Sequence, residues 1–166
     1  MELKLALKKL EESQDFKKWR RENKNTCFSY AFKIPQEMLN EWQLGFYDKK
    51  KDKITTFIIN GDNVNIRPEE DIFKKEETKV NEVQLDKVKL TLDNALAKAN
   101  EFQKKNFPKD KSIKTIAILQ NIPNLGNIWN ITYVTETFNI LNMKIGASNG
   151  KILKYNLSSV FSFRGE

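Results

Sequence analysis

The segment Asn127–Leu157 constrains the fold more than any other part of the chain. Trp129, Ile131 and Tyr133 alternate in its first run, and Leu141, Met143 and Ile145 alternate in its second. Ile152 opens a third run with a less regular pattern. Alternation with a period of two sends successive side chains to opposite faces of a sheet, so these runs predict strands with one covered face. Asn149-Gly150 separates the second and third runs. Both residues tolerate positive φ, which predicts a tight type I′ hairpin.

The same pattern recurs 87 positions earlier: Trp42 falls on Trp129, Leu44 on Ile131, Phe46 on Tyr133, Ile54 on Leu141 and Ile58 on Ile145. The turn Asp62-Asn63 falls on Asn149-Gly150 without a gap. The elements before the repeat also correspond in order. Leu3, Leu7 and Leu10, then Phe16 and Trp19, predict a helix over 2–23 with a break near Ser13. Thr91 caps a second helix running to Asn106, with Leu92, Ala95, Leu96, Ala99 and Phe102 on one face. Strands follow at 27–34 and 112–120, and the continuous apolar run Ile116–Leu119 marks the latter as central. Strands at 41–48 and 53–60 flank a polar hairpin loop, Asp48–Asp52. A short strand at 64–66 is expected to stop at Arg67-Pro68.

The expected architecture is therefore α+β: two helix-plus-antiparallel-meander units, read as an internal duplication. Residues 1–67 form the first unit, 68–87 a charged connector and 88–166 the second unit. Val88-Lys89-Leu90 is read as a short strand opening the second. Each unit alone has a thin core, so the two are expected to pack together or to extend a shared sheet.

Residues 88–157 resemble the PepSY domain family. The resemblance rests on the run Val88–Ala99, a short strand and then a capped, alanine-bearing helix; on the aromatic strand Trp129–Val134; and on the terminal hairpin Ile145–Leu153. The first half has the same order of elements, so it reads as a degenerate second copy, and the helix-and-sheet layout is also similar to cystatin-like folds. The resemblance implies a non-enzymatic module that binds or restrains a peptidase, with no catalytic residues or cofactor to carry over. It also implies a setting outside the cytoplasm.

The residues themselves narrow the chemistry. The chain has no histidine, which removes histidine general bases, Ser-His and Cys-His nucleophile pairs and most zinc sites. No phosphate-binding glycine loop and no calcium-loop pattern is present. The acidic pairs Glu69-Glu70-Asp71 and Glu76-Glu77 have lysines beside them and nothing apolar around them, so they read as solvated. The single cysteine, Cys27, heads an apolar strand and reads as a buried, inert thiol. The opening MELKLALKKLEESQDF has no apolar segment of the signal-peptide kind, and no run approaches the about 18 apolar residues of a membrane span. As it stands the sequence is expected to be cytoplasmic, or extracytoplasmic if it is an ectodomain of a longer protein.

A net charge of +7 favours anionic partners. The candidate partner-binding residues are Lys17, Lys18, Arg20 and Arg21 on the first helix, Lys49, Lys50 and Lys51 in the polar hairpin, and Ile122, Pro123 and Leu125 in an apolar turn. The expected function is a non-enzymatic protein-binding module that regulates a peptidase. The alternatives are a basic nucleic-acid- or ribosome-associated protein and an envelope-associated structural module beside anionic lipid.

Overall fold

Two short stretches of small and apolar residues, one in each half of the chain, meet edge to edge and merge the halves into one sheet. The computed structural model describes residues 1–37, 40–71 and 79–163. Its elements run α1 (Leu3–Glu12), α2 (Gln14–Glu22), β1 (Thr26–Lys33), β2 (Trp42–Asp48), β3 (Lys53–Asn60), β4 (Asn63–Asp71), α3 (Leu92–Asn106), β5 (Ser112–Ile122), β6 (Gly126–Thr135), β7 (Asn139–Gly146) and β8 (Ile152–Ser159). The strands form one eight-stranded antiparallel sheet in the order β4-β3-β2-β1-β5-β6-β7-β8. The fold is α+β, and the meanders radiate outward from β1 and β5.

The helices cover one face of this sheet. Ser13 breaks the first helical stretch because its backbone is extended; its hydroxyl accepts from the Phe16 amide and starts α2. Ala6 and Leu10 of α1 and Phe16 of α2 enter the core with Phe28, Leu44, Phe46, Phe57 and Ile59. Phe16 and Trp19 pack on Phe46 and Phe57, with ring centroids 5.1–5.5 Å apart. In the second half, Thr91 caps α3 by accepting from the Asn94 amide. Ala95 and Ala99 then let α3 lie close on Ile131, Tyr133, Leu141, Met143 and Ile145, all fully buried or nearly so. The Tyr133 hydroxyl donates to Asn100 Oδ1 across 2.7 Å, tying β6 to α3, and burial pushes its pKa up to about 12.

Several expectations need correction. The ungapped offset of 87 holds for β2 and β6 but fails at the next strand. Ile59 stands opposite Trp42 and Ile145 opposite Trp129, so β3 and β7 correspond at an offset of 86. The β2–β3 loop is one residue longer than the β6–β7 loop. Ile54 and Ile58, matched by sequence to Leu141 and Ile145, therefore face away from the helices, and Thr55, Phe57 and Ile59 face them.

Pro68 does not end β4. The strand continues to Asp71, and the register shifts between Ile54 and Thr56 of its neighbour. An edge strand has no second partner that needs the missing amide, and the bulge absorbs the proline. Val88–Leu90 is not a strand: both the Lys89 and Leu90 amides donate to the Ala147 carbonyl at 2.9 Å. The Asn149-Gly150 loop is not a type I′ turn, because Gly150 has φ +71° while Asn149 is not among the residues of positive φ. Gly150 instead donates to the Gly146 carbonyl, and the Asn149 side chain accepts from Lys151. Within the connector, Val83 is buried and its amide donates to Phe28, so residues 79–84 are not simply solvated. Glu69 pairs with Lys51, and Glu76-Glu77 lies outside the described residues.

The face away from the helices carries half-buried Tyr30, Phe32, Ile58, Ile116 and Ile118. On it the Tyr30 ring lies flat over Gly45, and its hydroxyl bonds the Thr56 hydroxyl at 2.8 Å. A Cβ at position 45 would stand 2.0 Å from Tyr30 Cε1. Gly45→Ala must therefore swing the ring off the strand, costing about 1–3 kcal/mol of stability. A lowered urea midpoint with an unchanged slope checks this, and Tyr30→Ala should remove most of the penalty in the double variant.

Candidate functional site

The pairing of β1 with β5 joins Tyr30 to Gln120, Ala31 to Leu119, Phe32 to Ile118 and Lys33 to Ala117. Ala31 and Ala117 are small and fully buried, which leaves room above the two central strands. Two indoles lean into that room. Trp42 comes from β2 and Trp129 from β6, strands about 14 Å apart at ordinary strand spacing. Their ring centroids are 6.4 Å apart. Each indole is held in the same way. Trp42 Nε1 donates to the Met1 carbonyl at 2.9 Å, just before α1, and Trp129 Nε1 donates to the Leu90 carbonyl at 2.9 Å, just before α3. The two tryptophans thus fix where the two helices begin.

A cavity of about 440 Å³ opens between these helix starts. Its lining includes Trp42, Trp129, Leu3, Val88, Leu92 and Leu96 as apolar walls, with Lys33 among them. Lys33 is only 6% exposed. It lies two residues beyond Ala31 on β1, toward the Trp42 end of β2, as Leu119 lies two residues beyond Ala117 on β5 and pairs with Trp129. Its Nζ donates to Asn40 Oδ1 and to the Met1 carbonyl, and lies 5.0 Å from the Trp42 ring centroid. Two oxygen acceptors engage two of the three ammonium donors, and the ammonium also lies beside the Trp42 ring. Burial pushes the Lys33 pKa down, and the nearby Asp93 carboxylate opposes that shift.

The rim carries charges of both signs: Lys4 and Lys89, Glu2 and Asp93. The first turns of α1 and α3 both reach the cavity. Glu2 makes no side-chain cap to α1, so that helix presents first-turn amides its cap residue leaves unbonded. The arrangement offers apolar walls, a desolvated cation and helix-start amides. It holds no nucleophile paired with a base. Among the described residues no group of three or more acidic, cysteine or histidine side chains gathers to hold a metal ion.

The sequence-predicted partner residues lie elsewhere. Lys17, Arg20 and Arg21 come together with Lys24 around an open hollow beside Phe16, and Lys18 is not among its lining residues. Arg20 is partly engaged: its Nη1 donates to the Thr26 carbonyl at 2.8 Å and to the Thr26 hydroxyl. Lys49, Lys50 and Lys51 sit at the β2–β3 turn, near the same end of the sheet, because Thr26 pairs with Asp48. Lys51 is committed to Glu69 at 2.8 Å. Ile122, Pro123 and Leu125 form the β5–β6 turn, where Ile122 and Leu125 are half-buried and Pro123 is exposed. Cys27 is buried, and desolvation followed by the Glu82 charge raises its thiol pKa.

Sequence reasoning passed over Lys33. By alternation Lys33 falls with Cys27, Ser29 and Ala31, opposite the aromatic Phe28, Tyr30 and Phe32, so the sequence pattern does not signal its burial. The register shift between Phe28 and Tyr30 puts Ala31 on the same covered face as Phe28, and Lys33 follows two residues on.

No family model matches the chain, and no curated protein matches it. Among solved structures, it is similar to a crystal structure described as a "putative lipoprotein" from Clostridium difficile 630, with a TM-score of 0.56, 12% identity, and coverage of 87% of this chain and 90% of that one. At that identity the likeness concerns the fold. No helix among the described residues is long and apolar enough to cross a membrane.

A lysine whose folded pKa lies below its unfolded value opposes folding while it is charged. That opposition fades as pH rises through the folded pKa toward the unfolded value of about 10.5. Lys33→Met should therefore be more stable than the parent at pH 7, and the difference should narrow as pH is raised to 10. Paired urea titrations at pH 7, 8.5 and 10 measure it; a pH-independent difference counts against the buried-cation account.

Proposed function

We propose that this chain is a non-enzymatic binding module that receives a segment of a protein partner in the cavity between α1 and α3. The observation that carries this reading is the cavity itself: about 440 Å³, walled by two indoles and closed by a buried lysine. That size is in the usual range for pockets that enclose a small ligand. Indoles that are already held by backbone carbonyls lose little freedom on binding, so the site is preorganised.

The PepSY resemblance supports a peptidase as the partner, bound or restrained rather than turned over. The likeness to the clostridial protein supports a setting outside the cytoplasm. The test is selection of peptides from a random display library on the immobilised full chain, with counter-screening against Leu96→Trp and Val88→Trp, which fill the cavity from two walls. Peptides that bind the parent and lose at least tenfold on both variants support the reading. Peptides that bind the filled variants equally well, or no enrichment at all, overturn it.

A second reading rests on the hollow formed by Lys17, Arg20, Arg21 and Lys24, an exposed concentration of positive charge suited to nucleic acid or another polyanion. If it operates, single-stranded RNA should bind at 50 mM salt, weaken steeply by 200 mM, and weaken further in Lys17→Glu/Arg21→Glu. Absence of a mobility shift at the lower salt removes this reading.

A further inference from the structure

We infer that the cavity between α1 and α3 selects a carboxylate carried on an apolar body, with Lys33 as the group that recognises the charge. The inference rests on the cavity reading above and narrows it to a ligand chemistry.

The argument begins with the cost of Lys33. A desolvated ammonium in a core position opposes folding, and the like-placed residue of β5, two beyond Ala117 and paired with Trp129, is Leu119, which carries no such cost. Packing alone gives no reason for the cation. Its two bonded acceptors, Asn40 Oδ1 and the Met1 carbonyl, are neutral. They solvate the ammonium without neutralising it, and the nearby Asp93 acts through space without a direct bond. The positive charge of Lys33 remains for a ligand.

The walls specify the rest of that ligand. Trp42, Trp129, Leu3, Leu92 and Leu96 offer apolar surface around the ammonium. A bare inorganic anion would leave this surface in water. An apolar ligand without a charge would leave the ammonium uncompensated. A carboxylate on an apolar body satisfies both, and the start of α1, which has no side-chain cap, lines the same cavity. The charged groups of the lining are Lys33, Lys4, Lys89 and the Met1 ammonium, which shares Asn40 Oδ1 with Lys33, against Glu2 and Asp93. Asp93 is therefore a competitor for Lys33, and its removal should favour an anionic ligand.

Two sources present this chemistry: the C-terminal residue of a peptide and a fatty acid. The probes are N-acetylated tripeptides ending in Leu, Phe or Trp, each as free acid and as amide, together with decanoate and decanol. Binding to the full chain is read by calorimetry and by tryptophan fluorescence. At least one free acid is expected to bind tenfold or more tighter than its uncharged counterpart. That preference should vanish in Lys33→Met, which is expected to fold well, and should strengthen in Asp93→Asn.

Preference for the peptide acids supports both the inference and the protein-partner reading. Preference for decanoate alone supports the carboxylate inference and overturns the protein-partner reading. Equal binding of acid and uncharged forms, lost on Leu96→Trp, overturns the inference and leaves the cavity reading standing. Absence of binding by every probe, or an acid preference that survives Lys33→Met, overturns the inference outright.

Discussion

Everything in this molecule depends on the antiparallel contact between β1 and β5. It is short, four residue pairs from Tyr30–Gln120 to Lys33–Ala117, yet it turns two four-stranded meanders into one sheet. Its small side chains matter as much as its hydrogen bonds. Ala31 and Ala117 leave the space into which Trp42 and Trp129 lean from outer strands. The indoles then hold the backbone just ahead of α1 and α3. One pairing thus sets the sheet, the core's centre and the start of two helices, and the cavity follows as the space between those starts.

Lys33 is the exception within that centre. Local consistency between pattern, packing and polarity is the general condition for a well-specified fold, and departures from it concentrate where a protein does something other than fold. Elsewhere buried polarity is satisfied: no buried side-chain nitrogen or oxygen among the described residues lacks a hydrogen-bond partner. Asp110, for example, is buried but accepts from Thr137 and Asn139, and those bonds, Thr137's foremost, hold its pKa down. Lys33, like Asp110, is bonded to neutral groups, but burial shifts its pKa against its charge, whereas the bonds to Asp110 favour its charge. That difference separates a structural buried charge from one held at a cost.

Much of the element list was legible. Period-two runs located β2, β6 and β7, Thr91 marked the start of α3 and Ser13 the break before α2, because these signals depend on neighbours in sequence. The misreadings came from longer-range causes. Ile54 and Ile58 were placed on the wrong face, since a single extra loop residue inverts every side chain of the strand behind it. Pro68 reads as a stop only if β4 is not an edge. Val88–Leu90 has the residues of a strand, but the Lys89 and Leu90 amides share the Ala147 carbonyl and the Val88 amide turns back to Leu85. The basic side chains picked out by charge, such as Arg20 and Lys51, turn out to spend part of their bonding on Thr26 and Glu69.

The sequence by itself determined the α+β class, the two meanders and the helix caps, because hydrophobic period and capping act over a few residues. Tertiary structure alone decided that the meanders share one sheet through β1 and β5, since which edges meet depends on contacts nearly 90 residues apart. It also decided that Lys33, Trp42 and Trp129 converge with the starts of α1 and α3. No local pattern records that convergence: its members lie on four separate segments, and only the pairing of the central strands brings them to one place.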